Sequence, residues 1–207
     1  MDPVKETIKV YDMFANEWSK CQVDVSQVEY IFKEFIPLLP GKNILDVGCG
    51  PGREAKYFIS KGFEYTGLEL SKEILELAKK IEPKAKYVFG DMRKMPFLEN
   101  HFDGILCLTS IIHIPKSEVN LVLKEFNRVL KPNGAITLAI KLGTGERFEK
   151  MDRFGNLPRY YAFYEEQEFL DLLVKNGFKI VNSYSETKPS GQRLDKNLIF
   201  NVFAMKN

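Results

Sequence analysis

Cysteine is scarce in this chain. Cys21, Cys49 and Cys107 lie far apart, and none belongs to a C-x-x-C pair. An odd, sparse count fits free thiols in a reducing compartment rather than a disulfide framework, so a cytoplasmic protein is expected. With only His101 and His113 beside them, no spacing reads as a zinc site, and no metal is expected. Charge of one sign is also lacking: 30 basic residues face 28 acidic ones, a net +2. That balance argues against a dedicated nucleic-acid binder, though not against a local basic patch. Long apolar runs are missing too. The longest, "ILCLTSIIHI", falls far short of the ~20 residues that a membrane span requires. The opening "MDPVKETIKVYDMF" has no apolar core of signal-peptide length. The composition is that of a globular chain: 207 residues, 44% hydrophobic and 13% aromatic, enough for one domain with its own core and no staple.

Strand-like and helix-like segments alternate without internal repeats, which predicts an α/β fold with a mostly parallel sheet. The first forty residues read as helical. Val28, Ile31, Phe32, Phe35 and Ile36 fall three and four apart, and Pro40-Gly41 ends the pattern. Buried strands are expected at "NILDV", "EYTGLEL", "AKYVFG", "FDGILCL" and "AITLAIKL". The helices between them are "GREAKYFISKG", "KEILELAKKI" behind the N-cap Ser71, and "SEVNLVLKEFNRVL", stopped by Pro132 and Gly134. "GTGERFEKMDRFGNLPRYYA" reads as a long loop and "EEQEFLDLLVKNG" as a helix. "FKIVNSYSE" and "NLIFNVFAM", joined by the polar "TKPSGQRLDK", read as antiparallel neighbours because no helix separates them.

The informative stretch is "NILDVGCGPGRE": a strand, three glycines two apart, then a helix. Glycines permit positive φ and let a ligand lie against the main chain, and a helix N-terminus offers N–H groups. Alone, the spacing also fits a tight strand-to-helix turn. Two further acids add to it. Glu69, at the end of the second strand and 17 residues past Gly52, stands where an acid binds ribose hydroxyls in dinucleotide-type folds. Asp91, after the third strand, can accept from an adenine amino group, with Met92 against the ring. Three strand ends with this chemistry would line one edge of the sheet. Asp46, just before the loop, is an odd neighbour for a pyrophosphate. It suits a ligand with a positive centre.

"ILDVGCGPG", "YTGLELS", "GDMRKMPF", "FDGILCLTSIIHI" and "RVLKPNGAITL" together resemble the successive motifs of class I S-adenosylmethionine-dependent methyltransferases, over roughly residues 43–142. The resemblance implies a Rossmann-like sheet of seven strands in the order 3-2-1-4-5-7-6, the last antiparallel, with helices on both faces. It also implies a single domain divided into an N-terminal helical cap (1–40), a cofactor-binding core (41–142) and an acceptor side (143–207). Carried over by position, Gly48, Gly50 and Gly52 would pass under the methionine part of S-adenosylmethionine, and Cys49 would travel with them as a small packing residue. Asp46 would help to hold the amino group. Glu69 would bind the ribose diol with Leu70 beside the adenine, Asp91 and Met92 would fix the adenine, and Leu108 would offer its carbonyl. Glu69 departs from the frequent aspartate, and Asn133 from the frequent glycine of its turn.

The sulfonium methyl is already electrophilic, so positioning and desolvation can supply much of the acceleration and no triad is required. His113, near the mouth after strand four, is the candidate base, or else a structural histidine of its loop. Tyr11, Phe14 and Trp18 share one helix face, with Trp18 a candidate for the substrate side, or else packed on the sheet. Arg159 and Tyr160, after strand five, are candidates for the acceptor pocket, with Arg159 holding an anionic group. The expected acceptor is a small molecule. "RYYAFYEEQEF" is similar to tails of some tRNA wobble-uridine methyltransferases, so tRNA is the second acceptor, although Glu146, Glu149 and Asp152 interleave with the basic set Lys141, Arg147, Lys150, Arg153 and Arg159. A cofactor-binding protein without transferase activity and an NAD-dependent dehydrogenase are the other readings. Asp46 and the reversed last strand speak against the dehydrogenase.

Overall fold

The computed structural model describes residues 2–21, 24–150, 155–186 and 198–207. The linker "TKPSGQRLDK" and the pair Asp152 and Arg153 lie outside the described residues. The N-terminal region is helical, as expected, but broken into pieces: α1 (Pro3–Met13), α2 (Ala15–Cys21) and α3 (Glu29–Phe35). Asp2 caps α1 by accepting from Val4 and Lys5 N–H, and Pro3 takes the first helical position, where no donor is missed.

The core then alternates as the sequence predicts: β1 (Asn43–Val47), α4 (Ala55–Ser60), β2 (Glu64–Glu69), α5 (Lys72–Ile81), β3 (Lys86–Phe89), β4 (Phe102–Leu108), α6 (Val119–Val129) and β5 (Leu130–Lys141). The "KPNG" turn lies within the first residues of β5. The register jumps there from Phe102↔Leu130 to Gly104↔Ala135, with Asn133 at φ +60°. One difference concerns residues 143–162, read as a loop. They form two short antiparallel strands, β6 (Glu146–Lys150) and β7 (Pro158–Ala162). Their pairing supplies the order that polar, aromatic-rich local sequence did not announce. α7 (Glu166–Lys175) follows, then β8 (Phe178–Glu186) and β9 (Ile199–Lys206).

The main sheet runs β3-β2-β1-β4-β5-β9-β8, parallel through β5, with β9 antiparallel to both β5 and β8. Counting its seven strands in chain order gives 3-2-1-4-5-7-6, the expected topology. Side chains alternate across it. Leu45 and Val47 of β1 face one way, into a core with Phe126 of α6 and Phe169 of α7. Ile44 faces the other way, against Phe32 and Phe35 of α3 and Phe58 of α4. Helices thus cover both faces, which suits parallel strands buried on two sides. Among the described residues no helix is long and apolar enough to cross a membrane.

This topology brings the C-terminal ends of β1, β2, β4 and β5 to one edge. α1 is tied above it. Ser71 Oγ, at the start of α5, donates to Asp12 Oδ1 (2.5 Å), and the Tyr160 N–H of β7 donates to Thr7 Oγ1 (3.0 Å).

Candidate active site

Gly48, Gly50 and Gly52 all adopt left-handed backbone, with φ of +69°, +55° and +77°. The loop is pinned to the neighbouring strand, because Gly48 and Cys49 N–H both donate to the Leu68 carbonyl (2.8 and 3.2 Å). A β-carbon on Gly48 would strike Ser110 Oγ and one on Gly52 would strike the Tyr87 hydroxyl. One on Gly50 would meet nothing closer than Trp18 Nε1, at 3.6 Å. Gly48 and Gly52 are therefore demanded by the protein's own packing. Gly50 is the one that keeps its face open, beneath Trp18. Cys49 is buried, and burial pushes its thiol pKa well up. It is a packing residue. α4 begins only at Ala55, so a turn through residues 51–54 stands between the loop and the helix end that the sequence placed directly after it.

Glu69 ends β2 with its carboxylate held by three backbone donors. Leu70 and Ser71 N–H reach Oε1 (2.8 Å each), and Gly50 N–H reaches Oε2 (3.0 Å). Burial raises its pKa, and these three donors oppose that rise. Two carboxylate oxygens offer about four lone-pair directions. Oε1 is filled, and Oε2 keeps capacity for a ligand hydroxyl beside the open face of Gly50. Such a cradle fits a ribose-bearing ligand.

Asp46 is 3% exposed and accepts from the Tyr65 hydroxyl (2.6 Å). Burial, then repulsion from Glu54, pushes its pKa well above the usual carboxylate range. Glu54 is itself buried and ion-paired with Arg53. This side of the edge is acidic and receptive to a cation.

Asp91 sits otherwise than its expected role requires. Arg93 engages it through Nε to both oxygens (3.0 Å each), through Nη2 to Oδ2 (2.6 Å) and through its own N–H to Oδ1 (2.8 Å). Three donors, one of them shared between the two oxygens, make four contacts with the carboxylate, so in this arrangement Asp91 is taken up mainly by its arginine rather than offered to an adenine amino group. The sequence signal that was passed over is the arginine two residues on. Met92 and Leu70 are half-buried against the main core. Leu108, also half-buried, closes β4 and is followed by Thr109 at φ +56°, a strained backbone position at the mouth of the edge.

His113 is engaged at both ring nitrogens. Nδ1 lies 2.7 Å from the Tyr160 carbonyl, which only accepts, so Nδ1 carries the proton. Nε2 then accepts from the Tyr11 hydroxyl (2.9 Å), which in turn accepts from Arg159 Nη1 (2.6 Å). Burial, then the Arg159 charge, pushes the His113 pKa down to about 3. A neutral imidazole with both nitrogens occupied is suited to holding Tyr11. It is poorly suited to the base role expected of it, because so acidic an imidazolium takes up no proton near neutrality.

Trp18 stands edge-on to Tyr11 (5.3 Å between centroids), and the Arg159 guanidinium lies 5.7 Å from its ring centroid. Arg159 also faces the Tyr11 and Tyr161 rings at 5.1 and 5.4 Å. Trp18 and Arg159 thus lie together, but the Tyr160 ring does not join them. Side chains alternate along β7, so the Tyr160 ring points away and its hydroxyl bonds Glu146. Tyr160 contributes its main chain, and Tyr161 presents the ring. Reading the segment as a loop hid that alternation. Sequence reasoning also missed the Tyr11 hydroxyl, Asp12 and Ser110, whose Oγ donates to the Gly48 carbonyl (3.0 Å). Only the position of α1 and of the turn after β4 reveals them.

A model of the methyltransferase domain matches residues 44–134, the stretch that builds the glycine loop and the strand-end acids. Residues 44–134 therefore carry a methyltransferase domain, of the class I S-adenosylmethionine-dependent kind. The methyltransferase chain is similar to a sterol 24-C-methyltransferase of Gibberella zeae, 34% identical over 53% of this chain and 30% of that protein. It is similar also to a 24-methylenesterol C-methyltransferase of Arabidopsis thaliana, 30% identical over 82% of this chain and 51% of that one. It thus spans from under a third to about half the length of these relatives. In fold it is similar to the Burkholderia thailandensis 1,6-didemethyltoxoflavin-N1-methyltransferase, with a TM-score of 0.77, 20% identity, and 98% of this chain and 88% of that one covered.

Proposed function

We propose that the chain transfers a methyl group from S-adenosylmethionine to a nucleophilic atom of a small-molecule acceptor. The observation that carries this is the Glu69 cradle: a carboxylate locked by three backbone N–H groups, with capacity left beside the open face of Gly50. Glu69 holds the ribose, Leu70 and Met92 flank the adenine, and the Leu108 main chain and Asp46 receive the amino group. S-adenosylmethionine supplies a sulfonium-activated methyl group; the acceptor's lone pair forms the new bond while the carbon–sulfur electron pair passes to sulfur. The chain's own part is to orient the two partners and to keep water out. The division into a cap over residues 1–40, a core over 41–142 and an acceptor side over 143–207 belongs to this reading.

A small acceptor suits an edge roofed directly by α1 and α2. The reading with tRNA finds less support, because a phosphate track needs exposed cations. Arg159 and Lys141 are only 3% and 6% exposed. Arg147 and Lys116 are ion-paired with Glu149 and Glu168.

Titration calorimetry with S-adenosylhomocysteine, with NAD as the control, tests the proposal. The chain's one tryptophan, Trp18, gives a second readout, because it lies over Gly50 and its fluorescence should change as the cofactor site fills. Glu69→Ala should weaken binding by ~1.5–3 kcal/mol, the range for lost hydrogen bonds to a charged group. Unchanged affinity would remove Glu69 from the site, and binding of NAD alone would replace the reading with that of a dehydrogenase.

A further inference from the structure

The last turn of α1 carries a second carboxylate to the Glu69 cradle. Asp12 Oδ1 accepts from the Ser71 hydroxyl (2.5 Å) and, at 3.4 Å, from the Glu73 N–H in the first turn of α5. The Ser71 N–H donates in turn to Glu69 Oε1 (2.8 Å). One serine therefore joins the two acids, with its hydroxyl on Asp12 and its N–H on Glu69. Ser71 is fully buried, and its hydroxyl also accepts from Ile74 N–H (3.2 Å), so the junction is anchored in α5. α1 is held on its other side as well, where Thr7 receives the Tyr160 N–H and Tyr11 bonds His113. Asp12 is thus a fixed neighbour of Glu69. Burial is the main reason that the Glu69 pKa is raised, and the Asp12 charge adds to it.

A ribose presents two hydroxyls, and each needs an acceptor once water is excluded. Glu69 has room for one. Its Oε1 accepts from Leu70 and Ser71 N–H, and its Oε2 has already taken the Gly50 N–H, which leaves a single lone-pair direction. The second hydroxyl requires another acceptor at the same strand end. Both donors to Asp12 reach Oδ1, and among the described residues none donates to Oδ2. Two carboxylates held this near repel each other, and hydroxyl donors seated between them relieve that repulsion.

Resting on the cofactor reading above, we propose that Asp12 is a second ribose-binding residue: its Oδ2 takes one hydroxyl of the S-adenosylmethionine ribose while Glu69 Oε2 takes the other. α1 is then a wall of the cofactor site and not only a cover over it. The pair of carboxylates also sets specificity. It repels a ribose that carries a phosphate, and it is left with an unpaired acceptor when a hydroxyl is missing.

The test uses the full chain in a titration calorimeter. S-adenosylhomocysteine is measured first, and its 2′-deoxy and 3′-deoxy forms follow. In the wild type each deoxy form should bind at least ~10-fold more weakly, as for one lost hydrogen bond to a charged group. Asp12→Asn keeps an Oδ1 for Ser71 and for the Glu73 N–H, and it puts an amide nitrogen in place of Oδ2. This variant should bind S-adenosylhomocysteine at least ~10-fold more weakly and should no longer distinguish it from one of the two deoxy forms. Glu69→Ala should lose the discrimination against the other. If Asp12 serves only to hold Ser71, Asp12→Asn will keep both discriminations, and that outcome would overturn the proposal. Unchanged affinity for S-adenosylhomocysteine in Asp12→Asn, or a wild type that discriminates against at most one deoxy form, would overturn it too while leaving the cofactor reading intact. Failure of the wild type to bind S-adenosylhomocysteine would overturn both. Should Asp12→Asn not fold, the wild-type comparison of the two deoxy forms still decides.

Discussion

Asp46→Asn is expected to bind S-adenosylhomocysteine at least ~10-fold more weakly than the wild-type chain and yet to melt at a higher temperature. The first effect follows from the charge. In the proposed binding mode the Asp46 carboxylate supports the ligand's ammonium group, and losing a hydrogen bond to a charged group costs ~1.5–3 kcal/mol. The second follows from what that carboxylate costs the empty fold. Asp46 is buried, it accepts a hydrogen bond from the Tyr65 hydroxyl, and Glu54 repels it. Its pKa in the folded chain therefore lies well above that of the unfolded chain. The native state binds the extra proton, so this group's stabilising contribution is fully present below the unfolded pKa and is lost as pH rises through the folded one. Asparagine cannot ionise, and its Oδ1 still accepts from Tyr65. Thermal melting across the acidic to neutral range should show the variant's advantage growing with pH. In the wild type, an ammonium ligand draws Asp46 into its ionised form, so binding should release a proton and tighten as pH rises. Calorimetry in buffers of different ionisation enthalpy reads that proton directly. A variant that melts lower, or that binds as the wild type does, would sink this account.

Gly48→Ala and Gly50→Ala, only two residues apart, should fail in different ways. Both positions have positive φ, and a left-handed backbone costs an L-residue ~1–2 kcal/mol. At Gly48 the new methyl also collides with Ser110, whose hydroxyl bonds the Gly48 carbonyl. The collision adds to the strain, so this variant should lose the larger share of stability, ~2–4 kcal/mol in all. At Gly50 the nearest atom is Trp18 Nε1 at an ordinary contact distance, so the fold loses little beyond the backbone strain. The methyl instead occupies the open face beneath Trp18, and cofactor affinity should fall by more than the melting temperature suggests. Paired melting and S-adenosylhomocysteine titrations on the two variants separate the effects. Wild-type affinity in Gly50→Ala would mean that the ligand does not cross this face.

The core of the fold was legible because its signals are local. β1 through β5 announced themselves as short apolar runs between punctuated amphipathic helices, and two consecutive strands with no helix between them implied the reversed final pair. Ser71 was legible as a cap, and its hydroxyl does accept from Ile74 N–H (3.2 Å). Glu69 could be placed at a strand end because strand length and loop spacing are properties of the chain itself. β6 and β7 were not legible. Two short edge strands rich in charge and aromatics have no periodicity of their own until they pair.

What the sequence determined by itself, then, is the α/β alternation, the glycine loop with its acid at β2, and the family they mark. Those follow from backbone conformation and burial periodicity, which neighbouring residues set. The tertiary structure alone decided which groups meet at the strand ends. It gave Asp91 to Arg93, turned Tyr160 away in favour of Tyr161, and carried Tyr11 across 102 positions to His113. It also buried Lys141 and Arg159 together against the Tyr161 ring. Partnership and protonation depend on distance through space and on loss of water, and neither is encoded in the spacing of residues along a chain.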